Sequence, residues 1–133
     1  MKNNPWAPWL RRARSNLARA KLGRQSEDIM YEDLCFDAQQ AIEKSLKGLL
    51  IYFGKRPPRT HSIGHLFNLL RRGCKIAIPA ELNEAVILND YAVTTRYPGD
   101  WEPVTDEEYE EAIKIADMVW KWVESITKYD CKP

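Results

Sequence analysis

Apolar residues recur three and four positions apart through most of the chain, which is the period of an amphipathic α-helix. Trp6, Trp9, Leu10, Ala13, Leu17 and Ala20 form the first such stripe. They predict a helix from about Pro8 to Leu22, with proline suited to a first turn and Gly23 to the stop. The second stripe is the longest: Tyr31, Leu34, Cys35, Ala38, Ala41, Ile42, Ser45, Leu49, Tyr52 and Phe53, widened by Leu46 and Leu50. It predicts a helix from about Asp28 to Phe53, closed by Gly54 and by Lys55-Arg56-Pro57-Pro58-Arg59, which cannot continue one. Asp33, Asp37, Gln40, Lys44 and Lys47 fall on the opposite, polar side, and Glu43 with Lys47 makes a favourable i,i+4 pair. A short third helix is expected from Ser62 to Arg72. A fourth starts near Pro79 and carries Leu82, Ala85, Val86, Asn89 and Val93 until Arg96-Tyr97-Pro98-Gly99-Asp100 breaks it. The last opens with a capping box, Thr105 with Glu108, and shows a core face of Tyr109, Ala112, Ile113, Ala116, Val119, Trp120, Val123 and Ile126. Alternation at period two is missing over any useful length. The pattern therefore predicts an all-α fold, an up-and-down bundle of about five helices, with the second and last as a long antiparallel core pair.

Some apolar positions lie off these stripes. Ile115, Met118 and Trp122 form a ridge beside the core face of the last helix, and Phe36 and Ile51 sit among outward polar residues of the second. A ridge containing tryptophan is the composition of an interface, so a homodimer is expected, with a wider monomer core as the alternative.

With 133 residues and ordinary composition (44% hydrophobic, 29% charged), residues 1–133 read as one domain. The N-terminus leads into an arginine-rich helix instead of an apolar signal region, and the longest apolar run, Leu49 to Phe53, is too short to span a bilayer. Cys35, Cys74 and Cys131 make no Cys-x-x-Cys pair and are odd in number, which fits a reducing cytoplasm without membrane association. Net charge is +1, but residues 1–80 hold 15 Lys+Arg against 6 Asp+Glu, and residues 81–133 hold 5 against 13. A basic half is what a nucleic-acid surface needs; equally, basic and acidic helices side by side would neutralise one another.

Candidate chemistry is sparse. His61 and His65 are four apart, the spacing of two ligands on one helix face, but nothing in the sequence supplies a third, so neither metal nor cofactor is expected. No phosphate loop, nucleophile elbow or paired-carboxylate arrangement stands out, and no catalytic residue is assigned. The residues suited to a nucleotide or RNA are Arg96, Tyr97, Lys44, Lys47 and His61. The cations would grip phosphate, Tyr97 would stack on a base, and His61 is suited to proton transfer. Each also has a structural reading, as a solvated charge, an ion pair at a helix end or a loop cap.

Three segments stand out together: Trp9-Leu10 with Ala13 to Lys21; Cys35 to Lys47 followed by Gly54, His61 and Leu66; and Arg96-Tyr97-Pro98 before a long final helix. In this order they resemble the HEPN family of small prokaryotic helical proteins. The resemblance spans nearly the whole chain in the family's order. It implies a helical bundle, commonly homodimeric, involved with nucleotides or RNA and often paired with a small nucleotidyltransferase in a toxin–antitoxin-like couple. Some members are ribonucleases that carry arginine and, a few residues on, histidine late in the chain. Here no histidine follows Arg96; the formal matches are Arg56 to His61 and Arg59 to His65, in the proline-rich loop. The resemblance thus implies a nucleotide- or RNA-binding interaction module, with a ribonuclease using such an Arg/His pair, or a purely structural subunit, as alternatives.

Overall fold

The computed structural model describes residues 4–86 and 103–129, and within them every regular element is helical. α1 spans Ala7–Lys21, α2 Tyr31–Tyr52 and α3 Ile63–Gly73; a 3₁₀ turn, Ala80–Asn83, leads into helical residues 84–86, and α4 spans Asp106–Thr127. The expected all-α bundle is what forms. The predicted fourth helix is described only at its start; Asn89, Val93, Arg96 and Tyr97 lie outside the described residues.

Local chemistry explains the boundaries. Pro8 occupies the first turn of α1, and Gly23 takes φ +74° just beyond its end. Gly54 takes φ +81° immediately after α2, a conformation glycine adopts without a Cβ penalty. Ser62 caps α3 by accepting from the His65 amide at 3.1 Å. At the start of α4 the capping box closes both ways: Thr105 N–H donates to Glu108 Oε1 at 2.9 Å, and Glu108 N–H donates to Thr105 Oγ1 at 3.1 Å.

The core lies between α1, α2 and α4, with α3 covering one end. Leu10, Ala13, Leu17, Ile42, Leu46, Leu49, Leu66, Phe67, Leu70, Val119 and Val123 are all buried in it. α1 runs antiparallel to α2: Arg19 meets Asp37 near one end, and Trp9 lies beside Lys47 and Gly48 near the other. It also runs antiparallel to α4, since Ala20 meets Tyr109 whereas Arg14 lies over Trp120. The two long helices α2 and α4 are therefore parallel to each other, and the expected antiparallel pair is corrected. Their starting ends are fastened together. Tyr31 and Tyr109 stack at 4.8 Å, the Tyr109 hydroxyl donates to the carbonyl of Ala20, and Val104 N–H donates to Glu32 Oε2 at 3.3 Å. The Tyr109 contact satisfies one of the carbonyls left open at the end of α1.

Ile115 also departs from expectation. It is 5% exposed and belongs to the core, so the ridge expected for a partner is reduced to Met118 and Trp122, both half-buried. The α2–α4 packing is wide enough to take in a residue one step off the main stripe.

Candidate functional site

The polar side of α2 is not a solvated face. Asp37, Gln39, Glu43 and Lys47 are all buried, and Lys44 is half-buried. A buried charge is tolerated only when paired and hydrogen-bonded. Here α2 itself, α1 and the α2–α3 loop supply the partners, arranged along the seam where α1 crosses α2.

Trp9, Arg12, Asn16 and Arg19 recur at helical spacing on α1, opposite Asp37, Gln40, Lys44 and Lys47 on α2. At one end, Arg19 grips Asp37 with two donors, Nε at 3.2 Å and a terminal nitrogen at 2.6 Å, and Asn16 Nδ2 donates to the same carboxylate at 3.1 Å. In the middle, Lys44 Nζ donates to Asn16 Oδ1 at 2.9 Å. Burial pushes the Lys44 ammonium below its ordinary pKa. The charges of Arg12 and Arg19 add to this, opposed by Glu43 and Asp37. At the other end, Lys47 Nζ donates to Glu43 Oε2 at 2.9 Å and lies 5.8 Å from the centre of the Trp9 ring.

Glu43 is the hub of that end. Its side chain is 5% exposed, and besides Lys47 it accepts from Gln39 Nε2 at 3.2 Å and, at a long 3.5 Å, from Gln40 Nε2. His61, reaching in from the α2–α3 loop, places Nδ1 3.2 Å from both carboxylate oxygens. The imidazole itself is 75% exposed. A carboxylate only accepts, so Nδ1 carries a proton, and Nε2 is the ring nitrogen turned away from the carboxylate.

The structure thus brings Lys44, Lys47 and His61 into one polar region, with both lysines already engaged. Arg96 and Tyr97 fall outside the described residues. The side chain that meets His61 is Glu43; Arg56 and Arg59 are exposed on the loop before it, and His65 is exposed on α3. No group of three or more histidine, cysteine or acidic residues placed to hold a metal occurs among the described residues. None of their helices is long and apolar enough to cross a membrane. Sequence reasoning missed Arg12, Asn16, Arg19, Asp37, Gln39 and Glu43 as members of the site. One signal was available: Asn16, a poor helix former, stands mid-helix on the side of α1 that faces α2.

Comparison with known proteins places the chain. It belongs to the HEPN domain family, whose profile matches residues 6–126. Among solved structures it is similar to TT1696 from Thermus thermophilus, at 34% identity and a TM-score of 0.76, covering 92% of this chain and 98% of that one. It is similar too to ST0689, an archaeal HEPN homologue, at 29% identity and a TM-score of 0.71, covering 96% and 99%. No curated protein matches the chain.

Proposed function

We propose that this chain is a nucleotide- or RNA-binding interaction module that holds phosphate at the cationic α1–α2 seam and works with a small nucleotidyltransferase. The observation that carries the binding reading is Lys44. Its ammonium is half-buried, disfavoured by its surroundings, and flanked by Arg12 and Arg19. A half-buried cation with like charges beside it is stabilised by an arriving anion, and phosphate matches both the lysine point charge and the guanidinium fork of Arg12, Arg19 being engaged by Asp37. Arg96 and Tyr97 are proposed to add a cation and a stacking ring to the same ligand. Membership of the HEPN family supports the nucleotidyltransferase partnership and a homodimer through Met118 and Trp122.

Fluorescence anisotropy with a labelled single-stranded oligoribonucleotide and with a labelled adenine nucleotide tests the binding. Affinity is expected to fall steeply with added salt, because phosphate contacts release counterions. Lys44→Gln and Arg96→Ala should each weaken binding by roughly five- to tenfold, about 1–1.4 kcal/mol, with an unchanged circular-dichroism spectrum. Binding that is undetectable at low salt, or indifferent to both substitutions, removes this reading. Co-purification with the nucleotidyltransferase tests the partnership separately.

A further inference from the structure

The Glu43–His61 contact is poorly explained as a strut. Glu43 already receives Lys47 and Gln39, so its charge is satisfied without a third strong donor. An ion pair or hydrogen bond to a ring that is 75% exposed adds little to stability. What the contact does achieve is chemical. In the neutral ring it selects the Nδ1–H tautomer, which leaves the Nε2 lone pair on the edge turned away from the carboxylate.

The sequence leading into His61 is cationic. The loop that delivers His61 carries Lys55, Arg56 and Arg59, and Pro57-Pro58 restrict its backbone. A neutral imidazole with its second nitrogen fixed by a buried carboxylate is an activated nucleophile. His65 provides an internal contrast: it is exposed four residues further on, and its backbone amide is capped by Ser62.

We propose that His61 Nε2 is a phosphoryl-acceptor site, modified by small N- or O-phosphoryl donors. The lone pair of Nε2 attacks phosphorus and an N–P bond forms as the donor's bond to its leaving group breaks. The leaving group departs with that electron pair, as ammonia from phosphoramidate. The Nδ1 proton stays directed at Glu43, where the carboxylate offsets the positive charge that develops on the ring. No oxidation or reduction is involved. The modification does not depend on oligonucleotide binding and goes beyond it.

The test treats the intact protein with phosphoramidate and locates the added phosphoryl group by mass spectrometry under alkaline conditions, which preserve N–P bonds. His61 is expected to be labelled well ahead of His65, and His61→Gln to lose that label while the helical spectrum is kept. Glu43→Gln should slow labelling of His61 by about tenfold or more, the scale at which a residue orienting a histidine acts. In case that variant folds poorly, ¹⁵N-resolved spectra of the unmodified wild type read the ring directly, with a proton on Nδ1 and a lone pair on Nε2 expected. Labelling of His61 no faster than His65, or a wild-type ring protonated on Nε2 alone, overturns the proposal. Oligoribonucleotide binding measured on the same sample separates that failure from failure of the phosphate-binding seam.

Discussion

At Gly48, α1 and α2 pack closely. A methyl group built there would stand 2.7 Å from Leu10 Cδ2 and 3.3 Å from Trp9 Cβ. Alanine in a helix interior normally gains about 1 kcal/mol over glycine. At this position the gain is expected to be outweighed, because the fully buried Leu10 would have to shift within the core. Overpacking of this kind costs roughly 1–3 kcal/mol. Gly48→Ala is therefore expected to lower the melting temperature by a few degrees, against the helix-propensity trend. A variant as stable as the wild type would mean that the α1–α2 crossing relaxes freely. The same crossing explains why single residues of the site were hard to read in advance. Glu43 and Lys47 form the i,i+4 pair their spacing suggests, but at 5% and 9% side-chain exposure they are interior groups and not solvated ones. Only knowledge of what lies across the helix distinguishes the two cases, and that partner surface comes from α1, some thirty residues earlier.

Between elements, Asp117 makes an ion-paired tie from α4 to α1. It accepts from Lys21 on α1 at 2.7 Å and from Lys121, one turn further along α4, at 2.9 Å. Burial alone would raise its pKa, but the two lysine hydrogen bonds outweigh that and hold it below the ordinary 3.8. A carboxyl with a depressed folded-state pKa stabilises the fold at any pH above its unfolded value. That contribution disappears as pH falls through the folded value. Asp117→Asn should consequently cost up to about 1 kcal/mol near neutrality, the scale of a pair with exposed lysines. The gap between variant and wild-type melting temperatures should close as pH falls below the carboxylate range. A gap that persists in acid would assign the loss to packing. Helix positions and caps were well marked in the sequence, since Thr105 with Glu108, Gly54 and the proline-rich loop are local signals. Helix direction was not. The parallel setting of α2 and α4 depends on contacts such as Tyr31 with Tyr109, separated by nearly eighty residues, and no periodicity along a single helix encodes it.

For the molecule as a whole, the question left at the surface is what covers Met118 and Trp122. Both pack partly against the core and remain half-exposed, whereas Ile115 is fully enclosed. The homodimer proposed through this face predicts that Trp122→Ala shifts the protein towards monomer in sedimentation at micromolar concentration, tryptophan being a frequent anchor of such contacts. A wild-type protein already monomeric there would assign both residues to the monomer alone. One larger consequence comes from the ends of α2, a rod of about 33 Å. Glu27, Asp28, Glu32 and Asp33 gather near its start, joined there by Asp106, Glu107 and Glu108 of α4, and they outnumber Lys21 and Arg24; beyond its finish stand Lys55, Arg56 and Arg59. Both clusters complement the helix macrodipole, negative charge at the N-terminus and positive at the C-terminus. Along α2 the described charges are polarised like a compass needle. In the field of a polyanion they experience a torque before any contact, so Lys55, Arg56 and Arg59 lead the approach while the acidic pole trails behind.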